Sequence, residues 1–287
     1  MISGNMNTVC PQGKIIIVRN YPVMQFEDDG VSITENNMQE NIFSFLSFVA
    51  NDRIEIIIPQ SLPKELLNFY STQLIRRGFN NFGFLIAENT EQQEEEYYRR
   101  VSEAKTLMVT GSPAEVLFFF KNDSISKFVH NKYINDENFT IIGIDDAAIL
   151  FSDLMLGERS HTSGLGLIKK CMLIRPTDQK LHFRKVVKTL LSNQDLIALT
   201  VNDGMFLIIK EGYKAQCIGK SSAMTMHAKN VTEKDMKPFK RGITLYVKNL
   251  KGHIFVNQST LDLRTGEPIK STHFNFNLNF TNRNTIT

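Results

Sequence analysis

The stretch Thr140-Ile-Ile-Gly-Ile-Asp-Asp-Ala-Ala-Ile-Leu150 carries two structural signals end to end. Upstream, Phe139 to Ile142 is an apolar, largely β-branched run, the pattern of a buried strand. Downstream, Ala147 to Leu156 is small and apolar and predicts a helix. A strand that turns sharply through Gly143 into a helix lifts its tip residue above the sheet, as some hydrolases lift a nucleophile. The tip residue here is Asp145, not Ser or Cys.

Working outward, the same strand–helix alternation repeats. Lys14-Ile-Ile-Ile-Val18 is a short continuous apolar run, as expected of a strand covered on both faces of a parallel sheet, and Ile54-Glu-Ile-Ile-Ile58 reads as a second buried strand. Between them, Met38, Ile42, Phe45, Leu46 and Val49 stand at helical spacing, with Thr34 as N-cap. Pro63 opens a helix that carries Leu66, Leu67, Tyr70 and Leu74 inward and stops at Gly78. Phe82 to Ile86 and Leu107 to Val109 are further strands, separated by an acidic helix over Glu91–Glu103. Pro113 begins a helix through Phe118–Phe120, and another helix around Ile125–Tyr133 leads back to the strand before Asp145. This order predicts an α/β fold, a three-layer α/β/α sandwich around a mostly parallel sheet.

After residue 164 the pattern becomes β-rich. Gly164 to Ile168 and Cys171 to Ile174 read as strands, and Phe183–Leu191 as a basic helix. Leu196–Val201 and Phe206–Ile209 read as a hairpin-like pair around Asn202-Asp203-Gly204. Gly242–Val247, His253–Val256 and Thr260–Leu263 continue in strands. The expected organisation is a lead-in over 1–12, a single α/β domain over 13–275 and a tail over 276–287.

Composition excludes little but bounds the rest. With 42% hydrophobic and 22% charged residues in 287, there is ample core material. A net charge of +3 is too small to argue for nucleic acid, and no aromatic residues interleave the basic ones. No apolar run approaches the roughly 18 residues of a membrane span, and the N-terminus has no signal-peptide pattern. Cys10, Cys171 and Cys217 are odd in number and lack ligand spacing, which predicts reduced thiols in a cytoplasmic setting. The six histidines are isolated in sequence, and no glycine-rich phosphate loop follows the first strand, so no metal or cofactor is expected.

Several segments, in shared order and spacing, resemble cyanophycinase and its dipeptidase E-like relatives. Gly143-Ile-Asp-Asp-Ala-Ala148 resembles the family elbow Gly-Thr-Ser-Ala-Gly-Ala. Thr110-Gly111 resembles a Thr-Gly-Gly-Asp-Gln loop, and Gly164-Leu-Gly-Leu167 a Gly-Leu-Gly-Leu segment. Asp178-Gln179-Lys180-Leu181 resembles Asp-Gln-His-Phe, and Val201-Asn202-Asp203 takes the place of Ile-Asp-Glu. The resemblance implies a serine peptidase on a class I glutamine amidotransferase-like fold, and a homodimer.

The departures fall on the chemistry that the resemblance implies. The nucleophile Ser corresponds to Asp145, the catalytic His to Lys180 and the loop Gln to Ala114, while Ser112 and Pro113 replace Gly and Asp. Asp178 and Arg184 are kept, and the family Glu corresponds to Asp203. Acyl transfer needs a hydroxyl, a base titrating near neutrality and donors for an oxyanion. Asp145 has no hydroxyl, and Lys180, with a reference pKa of about 10.4, is a poor base. His182, two positions on, lies past the catalytic position. Three readings stay open: an Asp145–Lys180 ion pair in a dead pocket, a repurposed enzyme with Asp145 as carboxylate nucleophile, or a binding pocket. That pocket, for a charged peptide or amino-acid derivative, would draw on Gly111, Ser112, Ala114, Asp145, Asp146, Lys180 and Arg184. The expectation is a catalytically silent binder, and the alternative an active hydrolase of aspartyl peptides.

Overall fold

The computed structural model describes residues 10–19, 23–27, 30–34, 52–87, 94–121, 123–157, 161–175, 181–235 and 247–269. The strand predicted at Lys14 is β1 (Lys14–Arg19), followed by a hairpin of β2 (Val23–Glu27) and β3 (Gly30–Thr34). Thr34 ends a strand, and the helix expected after it lies outside the described residues. Next come β4 (Ile54–Pro59), helix α1 (Lys64–Arg76), β5 (Phe82–Ala87), α2 (Glu94–Glu103) and β6 (Thr106–Val109). Helices α3 (Pro113–Phe120) and α4 (Asp123–Asn135) then lead into β7 (Thr140–Ile144).

The second half runs through a 3-10 helix (Asp145–Phe151), β8 (Leu154–Leu156), β9 (His161–Ser163), β10 (Cys171–Ile174) and helix α5 (Leu181–Ser192). It continues with β11 (Ile197–Val201), β12 (Met205–Lys210), β13 (Lys214–Gly219), β14 (Ala223–His227), β15 (Lys251–Phe255), β16 (Thr260–Asp262) and β17 (Glu267–Pro268).

The central sheet has the order β17-β16-β13-β12-β1-β7-β6-β4-β5. From β1 to β5 every pairing is parallel, and from β1 outward through β12 to β17 every pairing is antiparallel. Five of the nine strands are thus parallel, and both of their faces are covered, as their unbroken apolar runs require. On one face Ile16, Val18, Ile54, Ile56, Met108 and Ile142 pack under Tyr70 and Leu74 of α1. On the other, Ile15, Ile17, Ile57, Leu107 and Ile141 pack under α2, α3 and α4. Each isoleucine removed from water here contributes about 1.5 to 3 kcal/mol.

The antiparallel half is covered by a second sheet, of order β10-β11-β14-β15. Leu199, Val201 and Phe255 of that sheet join Leu207, Ile209 and Cys217 of the first in one buried cluster. Helix α5 covers the outer face with Val186 and Leu190.

Three expectations change. The segment Asn202-Asp203-Gly204 does not join a hairpin: β11 belongs to the second sheet, whereas β12 pairs with β1 and β13. The turn reverses the chain while handing it from one sheet to the other. The helix expected over Ala147–Leu156 is a 3-10 helix ending at Phe151, followed by a strand. Gly164–Ile168 is irregular. The amides of Leu165 and Ile168 bond to the carbonyls of Leu150 and Phe151, and so satisfy the open end of that 3-10 helix. The segment 236–246, expected to hold most of a strand, lies outside the described residues.

One buried charge is built into the parallel half. Glu55 of β4 is fully buried and is held by Arg53 and by a two-pronged contact from Arg100 of α2, at 3.0 and 2.6 Å. The bond to Glu55 holds the Arg100 guanidinium above its usual range. Arg100 also donates to the Phe84 carbonyl, so one side chain ties α2 to two strands. Arg100→Ala strips a buried carboxylate of a partner and is expected to lower unfolding free energy by about 3 kcal/mol in urea denaturation. A loss no larger than that of a surface substitution would contradict this.

Candidate functional site

The candidate site lies where β1, β6 and β7 end, beside the strand at which the sheet changes from parallel to antiparallel. β7 delivers Gly143 and then turns at once into the 3-10 helix. A side chain at Gly143 would meet Ala148 and Phe151 within 2.6 Å, so the turn folds back on its own strand only because that side chain is absent. Asp145, the tip residue, has φ of 51°. This left-handed conformation is uncommon outside glycine, and Asp and Asn tolerate it best. The geometry is thus that of a sharp elbow, with the Oδ2 of Asp145 shut away from solvent.

The next residue carries the ion pairs. Asp146 Oδ1 accepts from Arg19 Nη1 at 2.9 Å, and its Oδ2 lies 3.0 Å from Arg175 Nε. Arg19 is at the end of β1 with only 10% of its side chain exposed, and Arg175 follows β10. Asp203 lies 3.9 Å from Arg19 Nε, and its neighbour Gly204 donates to the Arg19 carbonyl. Four separate segments are therefore drawn together by charge at one end of the sheet.

A cavity of about 460 Å³ opens beside this cluster. Pro113, Ala114, Leu117, Ile149 and Met155 give it an apolar wall, and Ser112 and Arg175 supply polar groups. Ser112 caps α3 and hydrogen-bonds Glu115, which also accepts from Ser61 at 2.6 Å. These hydroxyls hold the Glu115 carboxyl below its usual range. A carboxylate so stabilised is a weak base, so Ser112 and Glu115 do not make an activated serine. The buried thiols of Cys171 and Cys217 are both pushed up to about 12 by burial, which leaves them protonated and unreactive.

Of the residues singled out in the sequence, Ser112 and Ala114 line the cavity, with Gly111 just ahead of them at the end of β6. Asp145 and Asp146 form the elbow, and Asp203 stands at its edge. Arg184 lies exposed on α5. Asp178 and Lys180 lie outside the described residues, as does the side chain of His182, so the Asp145–Lys180 pair lies there too. Arg19 and Arg175 are the residues that sequence reading missed. Three of the basic residues ahead of α5 have separate partners. Lys169 and Lys170 pair with Asp153 and Asp195, and Arg175 turns to the elbow.

Neither a family model nor a curated protein sequence matches this chain. Its fold does match solved structures. A peptidase from an acI-B1 Actinobacterium is similar with a TM-score of 0.55 and 14% identity, over 88% of this chain and 98% of that one. A candidate peptidase E protein from Listeria monocytogenes EGD-e is similar with a TM-score of 0.49 and 12% identity, over 73% and 99%. The first likeness spans nearly the whole chain and shows a shared peptidase-like fold. Among the described residues no helix is long and apolar enough to cross a membrane.

The elbow's ion pairs differ in worth. Removing Asp146 leaves nearly buried Arg19 without its 2.9 Å partner, and Asp146→Ala is expected to cost about 2 kcal/mol in denaturant unfolding. Asp203, 73% exposed and farther off, should cost less than about 0.5 kcal/mol as Asp203→Ala. Equal losses would contradict this ranking.

Proposed function

We propose that this chain is a catalytically silent peptidase-fold protein that binds a peptide-like ligand beside its elbow. The reading takes the architecture as the three-layer α/β/α sandwich of the class I glutamine amidotransferase-like group, related to cyanophycinase and dipeptidase E. The observation that carries it is Asp145 at the tip of the β7 elbow. The backbone turn that presents a nucleophile is kept, but the presented group is a carboxylate. A carboxylate has no proton for a base to remove, and its charge repels an oxyanion forming nearby.

The cavity supports retained binding. Its apolar wall suits the body of a small peptide, and Arg175, 43% exposed at the rim, suits a ligand carboxylate in place of Asp146. Gly111, Ser112 and Ala114 border this space, with Lys180 and Arg184 proposed as further cationic contacts. Asp178 and Asp203 are proposed as inherited positions of a lost catalytic set. A homodimer, as the resemblance implies, belongs to the same reading.

The rival is hydrolysis through Asp145 as carboxylate nucleophile, which expels the amine of the peptide, forms a mixed anhydride and requires a base to activate water for its breakdown. Aspartyl dipeptides and cyanophycin separate the two. The natural protein is expected to bind β-aspartyl or α-aspartyl dipeptides in calorimetry without turnover, and Arg175→Ala to weaken binding about tenfold or more. The Asp145→Ser/Lys180→His variant tests whether the pocket still accepts family chemistry. Turnover by the natural protein that Asp145→Ala abolishes would overturn the silent reading.

A further inference from the structure

A second group of chemistry-bearing side chains lies in the β-rich half, in the strands β14, β15 and β17 rather than at the elbow. His227 and His253 stand on adjacent antiparallel strands. His227 pairs with Lys251 and Thr225 with His253, so the two imidazoles are diagonal neighbours on one face. Glu267 reaches the same point from β17, which belongs to the other sheet. One ligand atom from each of the three lies within 4.8 Å of the others.

The local backbone holds this grouping. Thr225, fully buried between the histidines' strands, donates its hydroxyl to the Gly266 carbonyl at 2.5 Å. Gly266 has φ of 77°, and a side chain there would press on the His227 ring at 3.2 Å. The Asp262–Gly266 turn therefore lies close over His227 and points the next residue, Glu267, at the cluster.

The second observation is an unmet requirement for partners. His227 is 2% exposed, yet neither of its ring nitrogens meets a hydrogen-bond partner among the described residues. His253 Nε2 is likewise buried and unpartnered. Buried polar nitrogens left so are destabilising, and native structures rarely leave two side by side. Two imidazoles and a carboxylate are the donor set that first-row transition ions prefer, with zinc bound by three protein groups and a water.

We propose that His227, His253 and Glu267 bind a divalent transition-metal ion, zinc by preference, which clasps the end of the large sheet to β14 and β15 of the second. Zinc–ligand bonds of about 2.0 to 2.2 Å set ligand atoms about 3.3 Å apart in a tetrahedron. The ligand atoms of the trio, within 4.8 Å of one another, lie near that spacing, and Glu267 is half-exposed. Burial and nearby Lys229 push the His227 pKa below its ordinary value, which keeps a lone pair ready for metal at neutral pH. The charges that face it are those of Lys229, Lys251, His253 and Glu267. Lys229 is turned to the Arg264 carbonyl, and Lys251, 3.7 Å from Glu267, competes with the ion for that carboxylate. The site is independent of the elbow, and its test does not depend on any activity.

The test uses the full chain without a histidine tag, in a Cys10→Ser background that removes the exposed thiol. After dialysis against a chelator, zinc is titrated in by calorimetry. One ion per chain is expected, with a rise in melting temperature that grows with zinc concentration. His253→Ala and Glu267→Gln, whose side chains are not core, should each weaken binding about tenfold or more and remove the thermal shift. Circular dichroism before zinc addition should show both variants folded like the parent. No binding by the parent, or equal affinity in parent and both variants, would overturn the proposal.

Discussion

The fold-back of the Asp145–Phe151 turn onto β7 is the contact on which the site depends. Ala148 and Phe151 occupy the volume that a side chain at Gly143 would need. That closeness forces the chain to reverse within two residues, which places Asp145 in the left-handed region and aims Asp146 across the sheet end. The open carbonyls of the 3-10 helix are then met by the amides of Leu165 and Ile168. The backbone turn is thus a sharp elbow whose tip residue carries no hydroxyl. A peptidase-like fold does not by itself carry peptidase activity.

Electrostatics dictates which side chains converge at the elbow. Arg19 is almost buried, and a guanidinium in that position requires a carboxylate. Asp146 meets it and at the same time holds Arg175 at the rim of the cavity. A ligand with its own carboxylate can exchange for one of these contacts without leaving a buried charge unpaired. The same reasoning separates the two halves of the molecule. Glu55 with Arg53 and Arg100 is a group built on a fully buried carboxylate, and its role is structural.

Much of the fold was legible because burial on both faces writes itself as apolar runs, as in Ile15–Val18, Ile56–Ile58 and Ile141–Ile142. Pro113 after Ser112 marked a helix start by its missing amide and its cap. What failed has a physical reason. Asn202-Asp203-Gly204 specifies a chain reversal, but a turn does not say which strands pair afterwards, and Val201 and Met205 pack into different sheets. The strand β14 passed unread because Ala223 to His227 mixes small and polar residues and is completed by neighbours distant in sequence. Arg19 and Arg175 belong to no motif of their own. Nothing local reveals a carboxylate partner 127 positions away. His227, His253 and Glu267 were isolated in sequence for the same reason: sheet pairing, not spacing, brings them together.

The central claim is that Asp145 presents a carboxylate that performs no covalent chemistry. Incubation with β-aspartyl and α-aspartyl dipeptides in heavy-oxygen water, followed by mass spectrometry of the proteolytic fragment bearing Asp145, tests it at the atom concerned. A carboxylate nucleophile that attacks a peptide carbonyl expels the amine and forms a mixed anhydride, and it acquires solvent oxygen when water attacks its own carbonyl carbon. The account predicts a fragment of unchanged mass and intact dipeptides. Heavy oxygen in the Asp145 carboxylate, absent when dipeptide is withheld, would contradict it and make the residue a working nucleophile.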